Sequence, residues 1–170
     1  DIEVPHLEGT AVMWGHCHHR ATGGVEPEQR VLERMGLDVD PVKGGCCGLA
    51  GSWGFEKGKY RISMDCGEQG LLPAVRKASS DAVIVANGFS CKTQVAEAGT
   101  GRRALHLAEV MQLARGKGRL DGGVRPEDEA GDRRPVPGPG RRAARTLLPV
   151  AGAAAAPAVA TLAALRRRRR

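Results

Sequence analysis

Ala82-Val83-Ile84-Val85-Ala86 is the clearest strand signal in the chain, because five consecutive apolar residues with β-branched side chains at the centre are typical of a fully buried strand. Residues 10–14 form a second short apolar run and predict another buried strand. Residues 37–42 alternate apolar side chains with two aspartates, as an edge or half-buried strand does. A fourth, short strand is predicted over residues 104–107.

Helical patterns separate these strands. Pro27 lies in the first turn of one predicted helix, between two glutamates, and Gly36 is a suitable stop. A longer helix over residues 61–78 should be kinked or split near Pro73. The remaining helices are predicted over about 91–98 and 108–114. This alternation predicts an α/β fold with three layers: a mostly parallel sheet with helices on both faces, followed by a disordered or partly helical C-terminal tail.

Charge divides the chain of 170 residues into a body and a tail. Residues 1–116 carry 13 Lys and Arg against 14 Asp and Glu, whereas residues 117–170 carry 13 against 5. The body therefore has no basic footprint for nucleic acid, and the net charge of +7 comes from the tail. We predict a cysteine-rich domain over 1–116, a disordered Gly-, Pro- and Arg-rich linker over 117–146, and an apolar, Ala-rich segment over 147–170 that ends in arginines.

The apolar segment leaves two interpretations open. Residues 147–165 are 19 residues without a charge, a length that suits a membrane span with the arginines on the cytoplasmic side. The stretch is mostly alanine and contains two prolines, so the alternative is an amphipathic or disordered basic tail. We expect any contact with the inner face of a membrane to be made through this tail.

The cysteine content indicates a reducing compartment. Five cysteines are an odd number, two of them are adjacent, and no N-terminal signal-peptide pattern is present. We therefore expect metal-binding or reactive thiols in a cytoplasmic protein, and not a disulfide framework. The chain starts at Asp1 without a methionine, so we expect it to be part of a longer protein.

Four of the five cysteines follow predicted strands. Cys17, Cys46, Cys47 and Cys91 lie on three separate loops, and ligands of such sheets bind at the carboxyl ends of the strands. Thiolates are soft ligands that suit iron–sulfur clusters and zinc. The sequence therefore predicts a metal site at one edge of the sheet. Cys66 lies within a predicted helix, where we expect a packed thiol.

The histidines and the cysteine spacing leave alternatives open. His16 and His18 could be further ligands, polar loop residues, or activators of a neighbouring thiolate for redox or nucleophilic chemistry. The position three residues after Cys91 is Gln94, so a compact C-x-x-C pair is absent. The cysteines could therefore also be buried thiols that pack against glycine-rich turns. No G-x-G-x-x-G motif follows a strand, so a nucleotide site of that type is not predicted.

Three ordered motifs resemble those of a known family. Gly15–His18, Cys46–Glu56 and Gly88–Gln94 together look like the cysteine-rich "CCG" domain that occurs in heterodisulfide reductases and in the iron–sulfur subunits of glycolate oxidases. The likeness is greatest to the C-terminal end of fused flavoproteins that oxidise D-2-hydroxy acids such as D-lactate, glycolate or D-2-hydroxyglutarate. Residues 101–109 also resemble their ending, and the resemblance covers about residues 8–115.

The resemblance implies an electron-transfer module that is not catalytically complete alone. FAD is expected in a dehydrogenase domain or subunit of the parent enzyme, which would be the partner of this chain, with a quinone or cytochrome as the class of electron acceptor. The cysteines would hold an iron–sulfur cluster, of the 4Fe-4S type, or zinc. The implied metal ligands are Cys17, Cys46, Cys47 and Cys91; the implied lining residues or further ligands are His16, His18, Gln94, Trp53 and Ser90.

Three positions depart from the family motifs. Trp14 and His19 stand where histidine and glutamine are expected, and Asn87 stands where an acid is expected. Two alternatives therefore accompany the electron-transfer role. The domain could be a metal-free structural or docking domain of the same enzyme, or it could carry out thiol–disulfide chemistry with Cys46 or Cys47 and Cys17.

Overall fold

A computed structural model describes residues 3–120 and 122–130. Its centre is a three-stranded sheet of β1 (Gly9–Met13), β2 (Leu37–Pro41) and β3 (Val83–Val85) in the order β2-β1-β3. Both neighbouring pairs are parallel. The predicted α/β fold with a parallel sheet is confirmed.

The register makes all three strands end at the same level. Met13, the last residue of β1, is paired with Pro41 at the end of β2 and with Val85 at the end of β3. The main-chain pairing extends by one residue beyond β1 and β2, since Trp14 N donates to Val85 O at 2.8 Å and Val42 N donates to Met13 O at 2.9 Å. The three loops that follow therefore leave the sheet at one common edge.

Helices connect and cover the strands. They are α1 (Cys17–Thr22), α2 (Glu26–Met35), α3 (Tyr60–Glu68), α4 (Leu71–Lys77), α5 (Phe89–Glu97), α6 (Leu107–Gly116) and α7 (Pro126–Glu129), with a short 3-10 helix at Trp53–Phe55. The start and stop signals of α2 act as predicted: Pro27 lies in its first turn, and Gly36 ends it in the left-handed conformation at φ 106°. Helix α1 replaces a predicted loop, and it buries no residue, so it has no apolar periodicity in the sequence.

The predicted helix over 61–78 is split, and the break precedes the proline. Helix α3 ends at Glu68, α4 begins at Leu71, and Pro73 lies in the first turn of α4. A proline fits there because the first-turn amides have no partner within the helix. The break therefore falls at Gln69 and Gly70, at the start of the helix that can accept the proline.

The predicted fourth strand is a single bridge between Val85 and Leu105. Leu105 N donates to Ile84 O at 2.7 Å, and Ala86 N donates to Leu105 O at 2.9 Å. His106 then starts α6 as its N-cap: its Nδ1 accepts from Ala108 N at 3.1 Å. His106 is thus a hydrogen-bonding residue at the junction between the bridge and α6.

The sheet separates two apolar cores, and neighbouring residues of each strand face opposite sides. Met13 and Val85 belong to the core under α2 and α6, whereas Trp14 and Ile84 belong to the other. That second core also contains residues of α4 and α5 together with the thiols of two cysteines. Helices therefore cover both faces of the sheet, and the buried cysteines pack in the core on the face of Trp14 and Ile84.

The packed part of the chain continues past residue 116. Glu8 N donates to Gly118 O and Leu120 N donates to Glu8 O, both at 2.9 Å, so residues 118–120 lie beside the start of β1. The charged pair of Arg102 and Glu127 is buried, with side chains 6% and 3% exposed and Nε and Oε1 2.6 Å apart. Gly118, Leu120 and Glu127, which composition assigns to a disordered linker, make these contacts.

No helix in the ranges described by the structure is long and apolar enough to cross a membrane. The predicted apolar segment over 147–170 lies outside the described residues, and so does the remainder of the predicted linker, residues 131–146.

We predict that Arg102→Met destabilises the domain by about 3–5 kcal/mol, because it leaves the Glu127 carboxylate buried without its partner. Arg102 also donates to Ala82 O at 2.6 Å, a contact that methionine cannot make. The matched control is Arg61→Met, since the Arg61 and Asp65 side chains are 93% and 68% exposed and lie 4.0 Å apart. It should change stability by less than about 1 kcal/mol. Urea unfolding measures both, and equal effects would contradict the prediction.

Candidate functional site

The common edge of the sheet brings the four predicted thiols together. Cys17 is the first residue of α1, Cys46 and Cys47 lie in the loop after β2, and Cys91 is in the first turn of α5. Their thiols form a row, in which Cys17 interacts with Cys46, Cys46 with Cys47, and Cys47 with Cys91. All five cysteines are free thiols.

Cys47 and Cys91 form the buried end of this row, at 3% and 1% exposure. The Cys91 thiol donates a hydrogen bond to the Cys47 sulfur and lowers the pKa of Cys47 to about 6, and the amides of Leu49 and Ala50 also lower it against the opposing effect of burial. The same hydrogen bond, with burial, raises the pKa of Cys91 far above its usual range. One thiolate and one thiol therefore share a proton at the buried end.

Cys46 and Cys17 form the exposed end. Partial burial of the Cys46 sulfur raises the pKa of Cys46, while a hydrogen bond that this sulfur accepts from Gly48 N, at 3.3 Å, lowers the pKa. The neighbouring sulfurs of Cys47 and Cys17 raise it further, because adjacent negative charges repel each other. The row of thiols thus resists full ionisation unless a cation is present.

The loop after β2 that carries Cys46 and Cys47, here called the double-cysteine loop, packs closely on α3 because glycines lie in it and just after it. Gly48 has φ +94°, and a Cβ at this position would lie 2.0 Å from the backbone oxygen of Ser63. Gly54 approaches the same residue, since its Cβ would lie 2.4 Å from Ser63 Oγ. Only glycine allows both the left-handed backbone and this contact at Gly48.

Two predicted lining residues hold the loops in place. Gln94 is buried, and its Nε2 donates to Ser63 O at 3.0 Å, which ties α5 to α3. Ser90 Oγ accepts a hydrogen bond from Gly51 N at 2.9 Å, which ties the double-cysteine loop to α5. Trp53 lies on the 3-10 helix after this loop, with Lys59 Nζ 5.4 Å from the centre of its ring.

The two predicted histidines differ in position. His16 packs over Gly88, where a Cβ would lie 2.3 Å from the His16 ring and 3.0 Å from the Cys91 sulfur. Partial burial and the nearby charges of His19 and His18 lower the pKa of His16, so the ring is neutral at pH 7. His18 is exposed. The geometry therefore brings His16, and not His18, next to the buried thiols.

Sequence reasoning missed the role of Arg20, and it marked Trp14 as the end of an apolar strand and as a departure from the family motif. The Arg20 guanidinium lies 4.7 Å from the centre of the Trp14 ring, donates to Val42 O at 3.2 Å, and also donates to Gly44 O. Arg20 thereby joins the start of the double-cysteine loop to Trp14, the residue that follows β1. No sequence signal marks Arg20, since it lies in the helix that lacks apolar periodicity.

The donor set suits a soft metal, but it does not converge on one point. Within residues 3–120 and 122–130, no group of three or more His, Cys, Asp and Glu side chains is placed to hold a single metal ion. Four thiolates are the usual protein ligands of an iron–sulfur cluster, whose several irons share them. The residues present are thus chemically suited to a cluster.

The chain is similar to curated proteins named D-2-hydroxyglutarate dehydrogenase. It is 29% identical to the one from Pseudomonas putida over 111 residues, which are 64% of this chain and 11% of that protein. It is 31% identical to the one from Escherichia coli over 94 residues, 54% of this chain and 9% of that protein. For the one from Pantoea ananatis the identity is 29% over 93 residues, 55% of this chain and 8% of that protein.

This similarity relates the chain to dehydrogenases of D-2-hydroxy acids. The chain spans about a tenth of the length of these relatives. No family model matches the chain, and no solved structure matches it.

We predict that one thiol of the metal-free, reduced protein ionises near pH 6, because hydrogen bonds at Cys47 favour its thiolate. Ultraviolet thiolate absorbance during a pH titration measures this. Cys47→Ser should remove the transition, and Cys91→Ala should move it to higher pH by removing the main donor. Cys66→Ser, on α3, is the control and should leave it unchanged. A titration in which no thiol ionises below pH 7 would contradict the prediction.

We predict that Gly48→Ala destabilises the domain more than Gly51→Ala. Both glycines have positive φ, +94° and +73°, but a Cβ meets nothing within 4 Å at Gly51 and clashes with Ser63 at Gly48. Backbone strain alone costs roughly 1–2 kcal/mol, and the clash should add about 1–3 kcal/mol at Gly48. Urea midpoints of the two variants test this, and equal losses would show that the loop does not pack closely on α3.

Proposed function

We propose that this chain is the iron–sulfur, electron-transfer module of a flavin-dependent oxidoreductase that acts on D-2-hydroxy acids. The observation that carries the proposal is the row of four thiols, supplied by three loops at one edge of a parallel sheet. The similarity to D-2-hydroxyglutarate dehydrogenases supports the substrate class, D-2-hydroxyglutarate or a related acid such as D-lactate or glycolate.

In this proposal the chemistry on the substrate occurs elsewhere in the parent protein. The described residues offer thiols and no arrangement suited to taking a hydride from a hydroxy acid. The chain spans about a tenth of its relatives, which leaves room in the parent for an FAD-binding domain of the kind that the CCG resemblance implies. A bound cluster would receive electrons from the flavin and pass them to an acceptor of the quinone or cytochrome class.

Each end of the thiol row would serve a different purpose. Cys47 and Cys91 are buried among apolar residues, where a cluster would be shielded from water and oxygen. Cys17 and Cys46 are exposed, so this side of the site is open to a partner. Phe89, next to the thiols at the start of α5, is 82% exposed and offers the partner an apolar contact. The site is thus buried on one side and accessible on the other.

The low pKa of Cys47 favours thiol–disulfide exchange as a second candidate function. Its thiolate is paired with a protonated Cys91, as in a dithiol that could be oxidised. Both sulfurs, however, are almost completely buried, so a second molecule's disulfide does not reach them. Burial therefore favours the metal-binding role. Peptide mass mapping after mild oxidation separates the two, because only exchange chemistry predicts a bond between these cysteines.

The test of the proposed function is purification of the chain without oxygen, followed by iron, sulfide and zinc analysis and electron paramagnetic resonance of the reduced protein. We expect iron and acid-labile sulfide, which the thiolates of the site would retain. The Cys46→Ser, Cys47→Ser double variant should lose both. The Cys66→Ser variant should keep them, since Cys66 lies on α3, outside the three loops. A wild-type protein without metal, whose thiols all titrate freely, would refute the proposal.

A further inference from the structure

Trp14 carries a buried polar atom that no described residue satisfies. The residue is 2% exposed, and its indole Nε1 has no hydrogen-bond partner of normal geometry within the described ranges. A buried N–H without an acceptor costs free energy, so such a group calls for an explanation such as a ligand. Trp14 lies directly after β1, at the edge where the thiols meet.

The indole ring is held in one orientation by its surroundings. The Arg20 guanidinium stacks on it at 4.7 Å, and Arg20 is itself fixed by the carbonyls of Val42 and Gly44. A Cβ at Gly44 would lie 2.6 Å from the ring, and one at Gly70 would lie 3.3 Å from it. The two glycines thus make room for the indole, and the N–H is not free to turn toward another acceptor.

This fixed N–H acts on the buried end of the thiol row. Trp14 packs in the same apolar core as Cys47 and Cys91. The hydrogen bond to Cys47 and burial raise the pKa of Cys91, and the Trp14 indole acts in the opposite direction by favouring the Cys91 thiolate. Among the buried residues of that core, the side chains that carry an acceptor atom are Cys47 and Cys91, and the indole acts on Cys91. The Cys91 sulfur is therefore the acceptor available to this donor.

We propose that Trp14 is a positioning residue whose indole N–H donates a hydrogen bond to the Cys91 thiolate when that thiolate binds iron, and that it thereby raises the reduction potential of the site. The proposal rests on the proposed function. A hydrogen bond to a ligand sulfur withdraws negative charge from it, and this stabilises the reduced state, which carries one more negative charge.

The test compares the anaerobically purified wild type with Trp14→Phe and with the control Tyr60→Phe. Tyr60 is the first residue of α3, outside the loops that carry the site cysteines, and is 44% exposed, and its variant likewise removes one polar group from an aromatic side chain. A redox titration followed by electron paramagnetic resonance gives the potential. Electron–nuclear double resonance in H2O and D2O detects an exchangeable proton coupled to the cluster.

We expect Trp14→Phe to bind iron and sulfide in wild-type amounts, to have a more negative potential, and to lack one exchangeable proton coupling. Tyr60→Phe should match the wild type in all three. Where Trp14→Phe does not fold, site-specific replacement of Trp14 by benzothienylalanine keeps the ring shape and removes only the N–H; the same two changes are then expected. Iron bound with an unchanged potential and an unchanged proton coupling would overturn this inference alone. A wild type without iron would overturn the proposed function and, with it, this inference.

Discussion

The pairing of Met13 with the last residues of both neighbouring strands is the constraint on which the site depends. Because three parallel strands end at one level, three loops that are far apart in sequence start from one edge. A shift of β1 by one residue would exchange the two faces and move Trp14 out of the core that contains the buried thiols. The alternation of Met13 and Trp14 between the two cores thus fixes both the sheet and the site.

The thiols at this edge do not all ionise together unless a cation compensates the repulsion between their negative charges. Neighbouring sulfurs compete for protons, so Cys47 ionises easily while Cys91 and Cys46 resist ionisation. A bound metal would displace the remaining protons and compensate the repulsion, which couples metal binding to the stability of the loops. The indole N–H of Trp14 also lacks a partner, since it is buried and has no hydrogen-bond acceptor of normal geometry among the described residues. Both features are consistent with a site that is completed by a ligand.

Sequence patterns predict the sheet and the meeting of the cysteines, because strand periodicity and the rule for parallel strand ends are local signals. They do not predict α1, which buries nothing, or the buried pair of Arg102 and Glu127, whose partners lie 25 positions apart. They predict the helix break near Pro73, and the chain breaks just before it, because the proline fits inside the first turn of α4. The orphaned indole N–H also has no sequence signature, since it depends on how Arg20 and two glycines fix the ring.

The proposed role requires that the row of thiols binds an iron–sulfur cluster. X-ray absorption at the iron edge of the anaerobically purified protein measures this, because the scattering identifies the neighbours of iron. We predict sulfur atoms as the nearest neighbours of iron and further iron atoms beyond them, with both signals lost in the Cys46→Ser, Cys47→Ser double variant. A protein that contains no iron, or one whose iron has only oxygen and nitrogen neighbours, would contradict the claim.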